Sequence, residues 1–283
     1  MTLRDLLAQL PAGLMPAIDH PILDQSVTGL CTNSKACQPG NLFIGMPGTR
    51  VDGGEFWPSA LEKGAIAAII SPSALSKQPA PDDSTLLIPI QDIATVCGEI
   101  AAAFYSYPGR ALNLVGVTGT NGKTTTTHII EYLLNAADRP TGLLGTLYTR
   151  WPGHQETAVH TTPFPVDLQR ELAKVVAADC QHAIMEVSSH ALAQKRVWGC
   201  PFDVAVFTNL TQDHLDYHKN LEDYFEAKSL LFSPDYLKGR AIINSKDPYG
   251  QKLVDRLSPE NVWTYHITDT TADLYTIDRK SVV

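Results

Sequence analysis

The residues Gly119-Thr120-Asn121-Gly122-Lys123-Thr124-Thr125 bring glycines, a lysine and hydroxyls together in the order that gripping a phosphate chain requires. They follow an apolar run, Leu112 to Val117, that reads as a buried strand. They precede His128 to Leu134, whose apolar spacing reads as a helix. Strand, glycine loop, Lys-Thr and helix is the layout of a P-loop. Glycines let the backbone turn tightly enough to aim several N–H groups at one anion, and the helix N-terminus adds partial positive charge at the same place. Lys123 is then placed for the β- and γ-phosphates and the Thr124 hydroxyl for Mg²⁺. The strict pattern has a glycine where this chain has Val117. Three further polar clusters could work with the loop: Glu186-Val187-Ser188-Ser189-His190, the stretch from Thr208 to His218, and Tyr224-Phe225-Glu226-Ala227-Lys228. A carboxylate that closes a buried strand is unfavourable unless it is paired or bound to metal. Glu186 therefore suits Mg²⁺, which prefers oxygen donors. Residue chemistry alone does not single out His214 among nine histidines.

These side chains need a scaffold, and the sequence patterning supplies one. Apolar runs at Ala183–Val187, Asp203–Phe207 and Ala241–Ile243 read as strands, with a helix from Val166 to Ala178. Near-continuous apolar strands between helices predict a mostly parallel sheet covered on both faces, with ligands at the carboxyl ends of the strands. Upstream, Leu42–Ile44 and Ala67–Ile70 read as strands. Thr2–Leu10, Phe56–Lys63 and Ile93–Phe104 read as helices, and Ser71–Ser84 as a surface loop. The turn residues Tyr107-Pro108-Gly109-Arg110 predict a boundary between a small α/β domain over 1–107 and a P-loop domain over 108–283. The stretch from Ala272 to Val283 reads as a strand with no finishing helix, so the second domain is expected to be truncated.

With 283 residues, 44% of them hydrophobic and 18% charged, the composition is that of an ordinary globular chain of about two domains. The net charge of −8 and the lack of a basic run give no reason to expect nucleic acid as a partner. The opening residues do not read as a signal peptide, and the longest apolar run, Ala65 to Ile70, is too short for a bilayer. Five cysteines without a C-x-x-C pair suggest neither a disulfide framework nor a zinc knuckle. They read as reduced, buried and cytoplasmic.

Taken in order, T-G-T-N-G-K-T-T, E-V-S-S-H, N-L-T-x-D-H-L-D-Y-H and the Y-x-x-A-K helix resemble the Mur ligases of peptidoglycan synthesis. With the His160-Thr161-Thr162-Pro163 block, they are most similar to the branch that makes the UDP-N-acetylmuramoyl tripeptide. The resemblance covers essentially the whole chain. It implies an ATP-dependent, ADP-forming amide ligase acting through an acyl phosphate. The third stem-peptide residue would be joined to UDP-N-acetylmuramoyl-L-Ala-D-Glu, with meso-diaminopimelate favoured over L-lysine. It implies a cytoplasmic, monomeric protein using ATP, Mg²⁺ and a CO₂-derived carbamate. By residue, it implies that Gly119, Thr120, Asn121, Gly122, Lys123, Thr124 and Thr125 hold ATP. Thr124, Glu186, His214 and carbamylated Lys228 would ligate Mg²⁺, with Lys123, Lys228, His214 and Glu186 catalytic. The UDP-linked dipeptide would be met by Thr161, Thr162, Ser188, Gln194 and Arg196, and by His160, where some relatives have Asn. In the first domain Thr32 and Ser34 fall in the uridine-binding segment, where the family more often has Asp-Ser-Arg, and Thr49, Arg50 and Val51 fall in a contact loop. The family's third domain, which holds the incoming amino acid, has no counterpart in this sequence, and low activity is expected of the chain alone. Two other readings stay open: a folylpolyglutamate or cyanophycin synthetase relative, and a non-catalytic fragment that binds the UDP-substrate or nucleotide.

Overall fold

In the computed structural model, residues 1–48, 51–214 and 216–275 are described. The chain divides into two compact units, Met1–Tyr107 with Pro165–Arg170, and Pro108–Phe164 with Glu171–Val283.

The first unit is built on a four-stranded parallel sheet of β1 (Gly29–Cys31), β2 (Asn41–Ile44), β3 (Ala67–Ile70) and β4 (Leu87–Pro89), in that spatial order. The two central strands are buried along their whole length, which is why they read as unbroken apolar runs. Helices α1 (Leu3–Ala8) and α4 (Ile93–Phe104) cover one face, with Leu3, Leu6, Val96 and Ile100 packed against Leu42, Ile44 and Ile69. Helices α2 (Trp57–Glu62) and α3 (Pro72–Lys77) cover the other, where Trp57, Ala60 and Ala74 meet Phe43, Ala68 and Ile70. Helix α3 corrects the reading of Ser71–Ser84 as a loop. The hydroxyl of Ser71 accepts from the Ala74 N–H at 2.9 Å and Pro72 fills the first helical turn. Ser-Pro here starts a helix, where a compositional reading saw only turn formers.

Among the described residues, the second unit carries nine strands in the order β13-β12-β11-β10-β5-β9-β6-β7-β8. They are β5 (Asn113–Thr118), β6 (Thr141–Leu144), β7 (Tyr148–Trp151), β8 (His154–Thr157), β9 (His182–Glu186), β10 (Phe202–Phe207), β11 (Leu237–Asn244), β12 (Val262–His266) and β13 (Leu274–Tyr275). Pairing is parallel from β13 through β6, and β6-β7-β8 closes one edge as an antiparallel meander that the sequence pattern did not reveal. The strand expected from Ala272 onward is present as β13, and its continuation over 276–283 lies outside the described residues. The helices are α5 (Lys123–Ala136), α7 (Ser189–Ala193), α8 (Leu221–Ser229), α9 (Pro248–Val254) and the part of α6 (Pro165–Ala177) from Glu171 onward, its first six residues belonging to the other unit.

The P-loop strand β5 lies between β9 and β10, so three neighbouring strands end together and deliver their loops to one place. Helix α5 buries Thr127 and Glu131, while Ile129, Tyr132 and Leu133 are exposed. Glu131 is buried because Arg150 of β7 meets it in a bidentate ion pair, Nε to Oε1 at 2.7 Å and Nη2 to Oε2. Among the described residues, no helix is long and apolar enough to cross a membrane.

Candidate active site

The loop after β5 takes its shape from backbone geometry that only glycine tolerates. Gly119 has φ +144°, and a Cβ there would fall 1.9 Å from the Thr208 hydroxyl. The loop after β10 clamps it from the other side. The Thr120 N–H donates to the Asn209 carbonyl at 2.8 Å, the Asn121 N–H to the Asn209 side chain at 3.0 Å, and the Thr208 hydroxyl to the Asn121 carbonyl at 2.7 Å. Gly122, in the left-handed region, caps α5 without a side chain. The first intrahelical donor is the Thr126 N–H, 2.9 Å from the Gly122 carbonyl. The N–H groups of Lys123, Thr124 and Thr125 thus form the open N-terminus of a helix of 14 residues, a ready anion site. The Lys123 ammonium folds back onto the carbonyls of Gly119 and Thr120, at 2.8 and 2.9 Å. Burial lowers its pKa, and the charges of Glu186 and Asp213 act the other way.

Glu186 ends β9 and is wholly buried. Its carboxylate accepts from the Thr124 hydroxyl at 2.9 Å, the Thr146 hydroxyl at 3.0 Å and the Thr146 N–H at 2.8 Å. These three donors satisfy the hydrogen-bonding capacity of a carboxylate that water does not reach. Gly145 makes room for it, since a Cβ at that position would lie 2.5 Å from Glu186 Oε1. Thr146 and Gly145 were missed at the level of sequence. Their only signal is a polar residue just past a buried strand, which by itself says nothing of its partner.

Lys228, on α8, is 1% exposed and donates to the Gly119 carbonyl at 2.8 Å. Burial lowers its pKa well below the ordinary lysine value, and the nearby Lys123 charge adds to this. Tyr224, one turn earlier, lies under the ammonium, whose Nζ is 4.5 Å from the ring centroid. His214 has φ 52° and a half-exposed ring, set 4.9 Å from His190 and 6.1 Å from Tyr224. His218 is buried, with Nε2 2.9 Å from the Ser189 hydroxyl. Loop, carboxylate, histidine and lysine line one cleft of about 370 Å³, with Thr146, Thr161, Ser188 and Ser189.

A divalent ion would fit this donor set in part. Thr124 and Glu186 offer hard oxygens in direct contact with each other, and His214 lines the same cleft. Among the described residues no three His, Cys, Asp or Glu side chains are grouped to hold a metal. Lys228, as an ammonium or an amine, supplies no anionic oxygen.

Beside Glu186 lies a second network. The Thr162 hydroxyl donates to the Glu186 carbonyl at 2.8 Å and accepts the Ser188 N–H at 3.1 Å, while Thr146 and Thr161 share a hydroxyl contact of 3.1 Å. The Arg196 guanidinium donates to the Thr162 carbonyl at 3.0 Å and to Gln194 Oε1 at 2.8 and 2.9 Å, and stacks 4.0 Å over the Phe164 ring. These acceptors are neutral and burial works against the Arg196 charge, so an incoming anion would be welcome. Thr161, Thr162, Ser188, Gln194 and Arg196 are thus brought together. His160 is exposed and meets Phe164 edge-on at 5.2 Å. In the first unit, Ser34 is buried and opens a short 3-10 helix after β1, Thr32 is exposed nearby and Val51 is exposed. Thr49 and Arg50 lie outside the described residues.

Comparison with known proteins extends the geometry. The sequence pattern of the Mur ligase middle domain matches residues 117–282, and that described as Mur ligase family, catalytic domain, matches residues 26–105. A curated protein of Trichormus variabilis, named UDP-N-acetylmuramoyl-L-alanyl-D-glutamate–2,6-diaminopimelate ligase, is 62% identical over 98% of this chain and 55% of its own length. The chain belongs to the Mur ligase family. A Synechocystis relative of the same name is 63% identical over 91% of the chain and 51% of its own length. A solved structure bearing that name superposes with a TM-score of 0.79 at 28% identity, covering 98% of this chain and 55% of that one. A MurF structure from Acinetobacter baumannii shares the Mur ligase fold at a TM-score of 0.61 and 18% identity, covering 89% and 50%. The chain spans about half the length of the curated Mur ligases it matches.

Proposed function

We propose that this chain is the substrate- and nucleotide-binding part of an ATP-dependent, ADP-forming amide ligase. The substrate would be UDP-N-acetylmuramoyl-L-Ala-D-Glu and the added residue meso-diaminopimelate. The observation that carries this reading is the convergence of Lys123, Thr124, Glu186 and Lys228 on one cleft in a chain whose named relatives catalyse that ligation. Residues 1–107 would hold the UDP end through Thr32, Ser34, Thr49, Arg50 and Val51. Residues 108–283 would hold ATP on the loop from Gly119 to Thr125. The location would be cytoplasmic and the chain monomeric.

A carboxylate does not condense with an amine unaided, because oxide is a poor leaving group. Transfer of the γ-phosphoryl group to a substrate carboxylate oxygen gives an acyl phosphate and releases ADP. The amine then attacks the carbonyl carbon, phosphate leaves, and the nitrogen loses a proton. The first step brings two anions together, so charge neutralisation dominates. Lys123 would trade its two backbone carbonyls for phosphate oxygens, and the N–H groups that open α5 would grip the same chain. Arg196, half-buried among neutral acceptors, would orient the substrate's carboxylate end. Mg²⁺, held by Thr124, Glu186 and His214 and by Lys228 as a carbamate, would supply further neutralisation of phosphate charge. Carbamylation suits Lys228 because CO₂ adds only to a neutral amine, and burial favours that form.

Calorimetric titration of the folded chain with UDP-N-acetylmuramoyl-L-Ala-D-Glu tests the reading. Saturable binding weakened by Ser34→Ala or Arg196→Ala supports it. A folded chain that binds Mg-ATP but ignores that substrate would leave a nucleotide-binding ligase core and overturn the substrate assignment.

A further inference from the structure

Tyr224 and Lys228 lie one turn apart on α8, so their side chains share a face. Both are 1% exposed, and the Lys228 Nζ lies 4.5 Å from the Tyr224 ring centroid. The ring has little freedom to leave. Its hydroxyl is 3.4 Å from the Thr120 hydroxyl of the P-loop, and its ring centroid is 5.0 Å from that of the tilted His218 ring. The face of an aromatic ring carries negative potential, which attracts a cation and repels an anion, more strongly where water is excluded. The Gly119 carbonyl, 2.8 Å from Nζ, has the same preference. The other charged groups acting on Lys228 are Lys123, which opposes its charge, and Asp213, which favours it. His218 in turn responds to the Lys228 charge.

We propose that the Tyr224 ring face sets where the Lys228 head group rests, holding the unmodified form over the P-loop carbonyl and opposing CO₂ uptake. Tyr224 is then a positioning residue, acting on the site through Lys228. The inference rests on the carbamate reading. In that step the Lys228 nitrogen forms a bond to the carbon of CO₂, one C–O π pair moves to oxygen, and the nitrogen's proton passes to solvent. The product is an anion that the ring face repels, with a single N–H left for the Gly119 carbonyl. The carboxylate end must therefore point away from the ring, and the Lys228 head has two resting places rather than one.

The test is graded fluorination. Phenylalanine analogues carrying one, two and three ring fluorines replace Tyr224, with Tyr224→Phe as the baseline that separates loss of the hydroxyl. Fluorine drains the negative face while barely changing the ring's shape. The carbamate is read by carbon-13 NMR in buffer charged with ¹³CO₂ at fixed pH, its signal assigned by disappearance in Lys228→Met. The carbamylated fraction is expected to rise stepwise with fluorination, roughly three- to tenfold across the series. A clear signal that stays flat across the series overturns the role of Tyr224 and leaves the carbamate standing. No Lys228 signal in any form, wild type included, overturns the carbamate reading and this inference with it.

Discussion

Lys123 and Lys228 donate to the same acceptor, the carbonyl oxygen of Gly119, each at 2.8 Å. Two lysines on one carbonyl are in conflict, and burial adds to it. A phosphate chain would resolve the conflict by drawing Lys123 away. Lys123→Ala is therefore expected to weaken Mg-ATP binding by roughly 30-fold or more, as loss of a charge-assisted contact implies. Calorimetry on the folded variant checks this, and an unchanged affinity would remove Lys123 from the phosphate site.

The same conflict makes stability depend on pH. The native Lys228 pKa is depressed, whereas the unfolded chain keeps the ordinary value of 10.5. Between those two values the unfolded state binds the extra proton, so stability rises with pH across that window. Lys228→Met removes this dependence at similar volume. The variant is expected to be the more stable by at least about 1 kcal/mol near neutrality, with the difference shrinking toward the top of the window. Thermal melts of both proteins from about pH 7 to about pH 10, in CO₂-free buffer, measure it. Parallel curves would mean that Lys228 does not carry the effect.

How much of this was visible in the sequence depends on how local each signal is. The P-loop was legible because its strand, glycines and helix are contiguous, and Glu186 because a charge ends an apolar run. Lys228 stood out only through the resemblance to a family. Thr146 and Gly145 were not legible at all, since their role is a contact with Glu186 across the sheet. Helix α3 was hidden by its own cap, whose Ser and Pro also mark turns. The edge meander β7-β8 was hidden because its short strands are half exposed and do not alternate cleanly.

Gly145 gives a prediction that needs no ligand. A Cβ there would meet Glu186 Oε1 at 2.5 Å, and the buried carboxylate has little room to yield. Gly145→Ala is expected to destabilise by about 1–3 kcal/mol and to lower Mn²⁺ affinity as well. Denaturant unfolding and a Mn²⁺ titration monitored by EPR read the two effects. A variant as stable as wild type would show that the loop relaxes around the methyl group.

The ion pair between Glu131 and Arg150 ties the P-loop helix to the edge hairpin. Arg150→Met would leave Glu131 buried and unpaired, a loss of about 3–5 kcal/mol. The double variant Glu131→Leu with Arg150→Met should recover most of that loss, because the uncompensated charge is then gone. Chemical denaturation of the four proteins forms the cycle.

All five cysteines are buried and none forms a disulfide, and burial pushes the Cys97 thiol up to about 12. Cys37, buried beside Cys31, is likewise raised to about 12. Native protein at pH 8 should react with a chromogenic disulfide only at the rate of its opening, and denatured protein should at once titrate five thiols. Rapid labelling of Cys97 in native protein would contradict its burial.

The strand order places β5 between β9 and β10, partners that the chain supplies only much later. The residues that line the cleft are spread from Thr120 to Lys228. Its parts meet only after several long loops have closed, which is entropically costly. A nucleotide that binds there stabilises the finished molecule alone and ignores every partly folded one. Retention on immobilised nucleotide would therefore sort molecules by whether folding had reached its end, whatever their secondary structure content.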